Sequence, residues 1–465
     1  MPARKKHSFG GLELGARSIP SLLKHRAKRH PRKVFLQVWS HVNGLQKTVS
    51  YEQLHDRVMQ LKSALASLGV RRGTHVALLS HNCVEYLILG LAVMTLHAVP
   101  VNLNWRQPVN LLEATVKLAK CRLVFASQHF WESAKSVCSV NQLPPPISLV
   151  DFTMNLVADV DGIPADTPGT SNLDGGSIGD EVAVVFFTSG STKTPKAVPH
   201  THNELMWLAQ QYIDHLDEGK PDTEGGSLCL FPFFHVMGYV HNFLYNLYAG
   251  MRVIIHQETA DTAISPDLML RAITELKPSI VNTVPWIVEG FCQMLQDKDP
   301  AVQCVKDLRY ISYGYVFGCL RRLCPMSIVV FMLCIILLVC SGAALPDYCR
   351  EILNAHNVNA MMSYGQTEVG AAVMFTIPGG SLEYMQLLPG VEYELISEDG
   401  ADVASQDQGR TGELVLLGQY STTKAYLPGS NARPLAPPDS NTYERYRTGD
   451  VFEEHILHNG TKLVR

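Results

Sequence analysis

Val184-Val185-Phe186-Phe187-Thr188-Ser189-Gly190-Ser191-Thr192-Lys193-Thr194-Pro195-Lys196 joins an apolar, β-type run to a loop of small hydroxyl residues closed by proline and lysine. Small residues let a backbone approach a polyphosphate closely enough to offer it N–H groups. The hydroxyls add donors and the lysine adds positive charge. The order differs from the common nucleotide loop, in which lysine precedes the Ser/Thr, because Lys196 follows the hydroxyl cluster. The competing reading is a hydroxyl-rich surface turn after a buried strand.

Outward from this loop, helices and strands alternate. Leu54, Val58, Leu61, Leu65 and Leu68 recur at helical spacing up to Gly69. Val76–Leu79 reads as a short buried strand, Val84 to His97 as a second helix, Val99-Pro100-Val101 as the start of the next strand, and Leu123–Ala126 as another. This alternation predicts an α/β fold with a parallel sheet covered on both faces. Residues 156–180 mix Asp159, Asp161, Asp166, Asp174 and Asp180 with Gly, Pro, Ser and Thr, as expected of a solvated linker. The expected organisation is a first α/β subdomain over 1–180, a second over 181–388 that carries the loop, and a small β-subdomain over 389–465.

With 465 residues, several subdomains are expected. A formal charge of −4 gives no reason to invoke nucleic acid. The 11 cysteines show neither paired nor ligand-like spacing, so neither zinc nor a disulfide framework is expected, and a reducing compartment is the default. Residues 1–33 hold ten Lys/Arg against the single acid Glu13 and lack the apolar core of a secretory signal. They read as a solvated basic helix, with a mitochondrial presequence as the alternative. The chain closes on Leu463-Val464-Arg465 rather than a peroxisomal tripeptide. A cytoplasmic or organellar soluble protein is expected.

Two further segments follow in order: Ser363-Tyr364-Gly365-Gln366-Thr367-Glu368 and Tyr446-Arg447-Thr448-Gly449-Asp450. With the loop, and with Ser50–Leu54, Pro100–Arg106, Phe233-Phe234-His235-Val236-Met237-Gly238 and Pro389–Glu392, the chain resembles the adenylate-forming superfamily, most closely its acyl-CoA synthetases. The resemblance implies two doubly wound α/β subdomains plus a small β-subdomain. It also implies attack of a carboxylate on the α-phosphorus of ATP, release of pyrophosphate, and transfer of the acyl group to CoA or a carrier-protein thiol.

Carried onto this sequence, the resemblance gives Thr188, Ser189, Gly190, Ser191, Thr192 and Lys196 a grip on the β- and γ-phosphates. Gly342, Ala343 and Ala344 would form the adenine-side loop, with Tyr364 stacking the base. Thr367 would place a hydroxyl near the α-phosphate, Glu368 would hold Mg²⁺, a hard cation that prefers carboxylate oxygen, and Asp450 would take the ribose hydroxyls. His235 would stand near the carboxylate entrance. Its apolar neighbours favour an uncharged acyl or aryl acid over an amino acid, whose ammonium calls for an acidic partner; a buried structural histidine is the other reading. Trp286 is a further lining candidate. Relatives commonly carry glycine where this chain has Lys193 and Ala197, and a positive φ at either would be strained.

The resemblance breaks at residues 315–341, 27 residues that include the apolar run Ile328–Val339. No charge occurs from Leu323 to Pro346, which reads as a single-pass span flanked by Arg321 and Arg322, with 326–344 in the membrane. A span inside the core of an α/β fold would have to leave and return within a few residues. Codons for Gly314-Tyr315-Val316 can hold a splice donor and those for Cys340-Ser341 a closing AG in the same phase, so translated intron sequence is the preferred reading. The alternatives are a membrane helix or an unusual soluble insertion. Sequencing cDNA across codons 310–345 separates them, since a segment retained in every transcript removes the intron reading. The family's C-terminal lid domain, whose lysine contacts the reacting carboxylate, is expected to be absent. A non-catalytic or membrane-tethered nucleotide-binding homologue, and the adenylation module of a larger synthetase, are the competing functions.

Overall fold

The computed structural model describes residues 16–155, 178–188, 195–216, 224–257, 265–308, 310–315, 345–376, 384–397, 410–418, 426–428, 445–456 and 462–464. The 315–341 insertion (beyond Tyr315), the acidic linker over 156–177 and residues 1–15 lie outside them. Among the described residues no helix is long and apolar enough to cross a membrane.

Two sheets carry the fold, as the helix–strand alternation predicts. The smaller has six strands in the order Ile147–Ser148, Leu123–Ala126, His75–Leu79, Val99–Asn102, Val182–Thr188 and Lys196–Thr201. Its first five strands pair in parallel and the last returns antiparallel. A parallel interior must be covered on both faces, and the near-continuous burial of these strands follows from that. The larger sheet has thirteen strands. Parallel pairs run through Val34–Ser40, Arg252–His256, Gly226–Cys229, Ile280–Thr283, Tyr310–Tyr315 and Ala360–Gln366. Antiparallel strands continue it through Ala371–Thr376 to Arg445–Ile456.

Sheet membership does not follow the sequence boundaries expected at 180 and 388. Val34–Ser40 and Gly44–Ser50 join the larger sheet, while Val182–Thr188 joins the smaller one. The strands after 389 extend the larger sheet rather than standing apart. The reason is packing. The helix Val84–Thr95 is buried on nearly every side, because it sits between the smaller sheet and other helices: a Cβ on Gly90 would lie 3.7 Å from Leu78 of that sheet and 4.0 Å from the hydroxyl of Tyr239, which belongs to the helical turn Met237–Leu244. An apolar face on every side of a helix demands partners on every side.

Helix Tyr51–Ser67 starts at a capping box in which the Ser50 hydroxyl accepts from the Gln53 backbone N–H (3.2 Å) and the Gln53 side chain accepts from the Ser50 N–H (2.9 Å). Helix Ile19–Arg29 is not wholly solvated. It buries Ile19, Leu22, Leu23 and Arg26, and the Arg26 guanidinium donates to the carbonyls of Leu247 (3.1 Å) and Tyr248. An arginine inside the apolar face is tolerated because its donors satisfy open carbonyls near the end of another helix.

Burial sets the acid response. His241 and His256 are each held down to about 4, and His202 to about 3, burial being the first cause in all three. Their folded values lie below the unfolded one, so the stability they contribute is present above about pH 6.5 and is lost as pH falls toward 4. The urea midpoint is therefore expected to be clearly lower near pH 5 than near pH 7. An unchanged midpoint would contradict this burial.

Candidate nucleotide and acid site

The strands on either side of the loop quoted at the outset pair as the two arms of a hairpin. Val182–Thr188 and Lys196–Thr201 pair antiparallel, with Phe187 opposite Ala197 and Thr188 opposite Lys196. The two expected phosphate-binding residues at the ends of the loop therefore face each other across one rung. Ser189, Gly190, Ser191, Thr192 and Lys193 lie outside the described residues. The Thr188 hydroxyl is buried without a hydrogen-bond partner among the described residues. A buried orphan donor calls for a ligand or water, and here it marks the edge of the loop. Ala197 is fully buried in regular strand pairing and is absent from the residues with positive φ. The strain considered at that position is not there.

A second element reaches the same hairpin. After Ala360–Gln366 the chain makes a short turn over Thr367–Val369, with Glu368 buried. The His200 Nε2–H donates to the Thr367 carbonyl at 2.7 Å, tying this turn to the return strand of the hairpin. His200 itself is braced by Glu204 at 3.5 Å, and Glu204 accepts from the Thr201 N–H (2.9 Å) to start helix His202–Leu216. Tyr426 donates to Glu368 Oε1 at 2.7 Å, and Lys196 Nζ lies 5.1 Å from the centre of the Tyr426 ring. The Leu427 N–H donates to the Ala197 carbonyl at 3.0 Å.

The third element is Arg445–Ile456, which holds Thr448-Gly449-Asp450. Asp450 Oδ2 accepts from the Tyr364 hydroxyl (2.7 Å) and from Gln366 Nε2 (2.8 Å). Tyr446 donates to the Gln366 side-chain amide oxygen, Oε1, so the Gln366 side chain ties the two strands together. Gly449 has φ +79°, and its N–H donates to Glu413 at 3.2 Å, which turns the Asp450 carboxylate toward Tyr364. Burial raises Asp450 above the ordinary aspartate value, partly offset by its two side-chain hydrogen bonds. Tyr364 is 1% exposed, with its ring edge-on to Phe452 at 4.9 Å, so a purine reaches its face only after neighbours part. Gly342, Ala343 and Ala344 lie outside the described residues.

A raised carboxylate is a destabilising one when ionised. Its penalty is absent at acid pH and develops as pH rises past the unfolded value near 4. Asp450→Asn keeps an acceptor for Tyr364 and Gln366 without the charge. It should leave Tm near neutral pH equal or higher while weakening ATP binding by about 10-fold or more, as expected for a lost charged acceptor. A lower Tm with unchanged ATP binding would contradict the assignment.

His235 belongs to a separate wall. Phe231–His235 is clamped by Asn82, which donates to the Phe231 carbonyl (2.8 Å) and accepts from the Phe233 N–H (2.7 Å). Asn102 adds a bond to the Phe233 carbonyl at 3.3 Å. The segment feeds a π-helix, Met237–Leu244, in which Asn242 donates to the Met237 carbonyl at 2.8 Å. Such wide turns are frequent at functional sites. Burial, aided by Arg106, lowers His235 to about 4, so it is neutral near pH 7. Its Nδ1 accepts from the Met237 N–H at 3.2 Å, which leaves the proton on Nε2. The Arg106 guanidinium stands 4.7 Å over Trp105 and 5.8 Å over Phe234. Trp286 sits at the start of helix Pro285–Gln296 and is 38% exposed. Sequence reading missed Tyr426 and His200, and it gave Gln366 and Tyr446 no role although both lie inside the quoted motifs.

The AMP-binding enzyme family matches residues 23–427, a span that contains the hairpin, the Thr-Glu turn and Tyr426. The chain belongs to the AMP-binding enzyme family. Similar relatives include the 2-succinylbenzoate–CoA ligase of Oceanobacillus iheyensis, 23% identical over 418 residues that cover 89% of this chain and 71% of the relative. The indoleacetate–CoA ligase of Aromatoleum aromaticum is 24% identical, covering 87% and 71%. The chain spans 14% of the naringenin synthase of Pestalotiopsis fici, to which it is 22% identical. Among solved structures, the anthranilate CoA ligase AuaEII in complex with anthranoyl-AMP matches at TM-score 0.73 and 18% identity, covering 96% of this chain and 77% of that one. The N-terminal domain of FACL13 from Mycobacterium tuberculosis matches at 0.71 and 21%, covering 97% and 99%. These likenesses bear out the expected large-domain architecture of adenylate-forming enzymes.

Proposed function

We propose that this chain activates an uncharged acyl or aryl carboxylic acid with ATP, forming an acyl-adenylate whose acyl group passes to the thiol of CoA. A carboxylate oxygen forms a bond to the α-phosphorus, the bond to the pyrophosphate oxygen breaks, and the electron pair leaves with pyrophosphate. Two anions meet in this step, so the site's task is to neutralise charge and hold geometry. The convergence that supports the reading is Lys196, Glu368 and Asp450 arriving on three elements that are cross-linked by His200, Tyr426 and Tyr364.

In this reading Lys196 and the Thr188 hydroxyl, which lacks a partner among the described residues, take phosphate oxygens, and Thr367 lies beside them. Glu368 would hold Mg²⁺, which when bound neutralises phosphate charge. A buried carboxylate with one oxygen not taken by the Tyr426 hydroxyl fits that group. Asp450 would accept from the ribose hydroxyls and Tyr364 would face the adenine. The neutral His235 donates from Nε2 toward the incoming carboxylate, and the Phe233, Phe234 and Met237 side chains favour an apolar acid. A carrier-protein thiol is a second acceptor, favoured by similarity to longer synthases such as the phenyloxazoline synthase MbtB of a Mycobacterium species, 26% identical over 57% of this chain and 20% of that one.

Labelled pyrophosphate is expected to exchange into ATP only when a suitable acid is added, tested over aliphatic and aromatic acids. ATP binding without any acid-dependent exchange across that panel would overturn the ligase reading in favour of a non-catalytic nucleotide-binding homologue.

A further inference from the structure

Tyr426 is the residue through which the expected phosphate lysine and the expected metal acid touch. Its hydroxyl is 2.7 Å from Glu368 Oε1, its ring centre is 5.1 Å from Lys196 Nζ, and the next residue is tied by its backbone to Ala197 at 3.0 Å. The residue comes from a segment 58 positions after Glu368 and belongs to none of the motifs read from the sequence. Among the described residues, no other hydrogen bond reaches the Glu368 carboxylate. Left to itself a carboxylate on a short turn rotates about its side-chain bonds. A single charge-assisted bond to one oxygen fixes the plane of the group and leaves the other oxygen directed elsewhere.

We propose that Tyr426 is a positioning residue with two separable functions: its hydroxyl orients the Glu368 carboxylate for a divalent cation, and its ring is the platform on which Lys196 waits for phosphate. The inference rests on the reading of Glu368 as the metal acid. Groups that hydrogen-bond a metal-binding carboxylate typically contribute 10- to 100-fold to metal affinity, and an aromatic face holds an ammonium without neutralising it, so the lysine stays available to an anion.

The test separates the two functions by ATP binding, measured by calorimetry with Mg²⁺ and with a chelator, alongside Tm for each variant. Tyr426→Phe keeps the ring and removes the donor. Its affinity for metal-free ATP should stay within about twofold of the parent, while the gain in affinity on adding Mg²⁺ falls by roughly 10-fold or more. Tyr426→Leu removes the ring as well and should also weaken metal-free ATP binding by about threefold or more. Glu368→Gln is the control. If it loses the Mg²⁺ gain and Tyr426→Phe keeps it, the role given to Tyr426 is overturned. If Glu368→Gln also keeps the gain, the metal reading of Glu368 has failed instead. A loss in Tyr426→Phe alone likewise overturns the proposal, because the hydroxyl is argued to act only through Glu368.

Discussion

Lys196→Ala should weaken ATP binding by about 10- to 100-fold and lower acid-dependent pyrophosphate exchange by at least about 100-fold. The first figure is the value of a charge-assisted hydrogen bond to phosphate, about 1.5–3 kcal/mol. The second adds the loss of a preorganised donor where charge develops. The geometry makes Lys196 hard to replace. It stands opposite Thr188 at the base of the hairpin, over the Tyr426 ring, and makes no ion pair with a carboxylate among the described residues. An ammonium in that position has no structural duty that alanine would disturb, so Tm should move little. Lys196→Arg should recover only part of the binding, since a planar fork does not reproduce a point charge. Retention of full ATP affinity by Lys196→Ala, at unchanged Tm, would remove the phosphate role and with it the main support for the proposed reaction.

Gly365→Ala should unfold the site rather than tune it. A Cβ at Gly365 would lie 1.8 Å from the Ala371 carbonyl oxygen and 2.5 Å from the Ala372 Cα. Those are backbone atoms of a paired strand, at a bulge where the register shifts between Tyr364 and Gly365, so no side chain can rotate away to make room. The expected loss is about 3 kcal/mol or more, read as a lower urea midpoint or a failure to accumulate folded protein. Gly449→Ala is the useful contrast. Its Cβ would meet nothing within 4 Å, and the penalty comes only from φ +79°, on the order of 1–2 kcal/mol. Equal stability losses in the two variants would show that the close approach at Gly365 is wrong.

Much of this was legible from local pattern. The helix starting after Ser50 announces itself by its capping residues and by Leu54, Val58, Leu61 and Leu65, all buried in the structure. The strand Leu123–Ala126 follows from four consecutive apolar residues between Arg122 and Ser127. The ends of the hydroxyl-rich loop, Thr188 and Lys196, are marked by the change from β-type to hydroxyl-rich sequence. Tyr426 and His200 could not be read this way. The partner of His200 is 167 positions away, and no spacing along the chain links it to Thr367. A lone tyrosine or histidine carries no signal of what will fold against it.

The chemistry of the segments is set by composition and order along the chain: a hydroxyl-rich loop with its lysine, a Thr-Glu pair, a late Thr-Gly-Asp, and apolar runs of strand length. Each depends only on side-chain type and on neighbours within a few residues, which is the range over which periodicity and turn preferences act. Which strand lies beside which was decided by tertiary packing. Val185 pairs with Val101, and Val38 with Ile255 more than 200 residues on, because these apolar side chains are buried only where distant strands meet. The same packing brings Lys196, Glu368 and Asp450 into one place and puts Tyr426 between the first two. Burial then keeps His235 neutral near pH 7 and raises Asp450 above the ordinary aspartate value, which no local pattern contains.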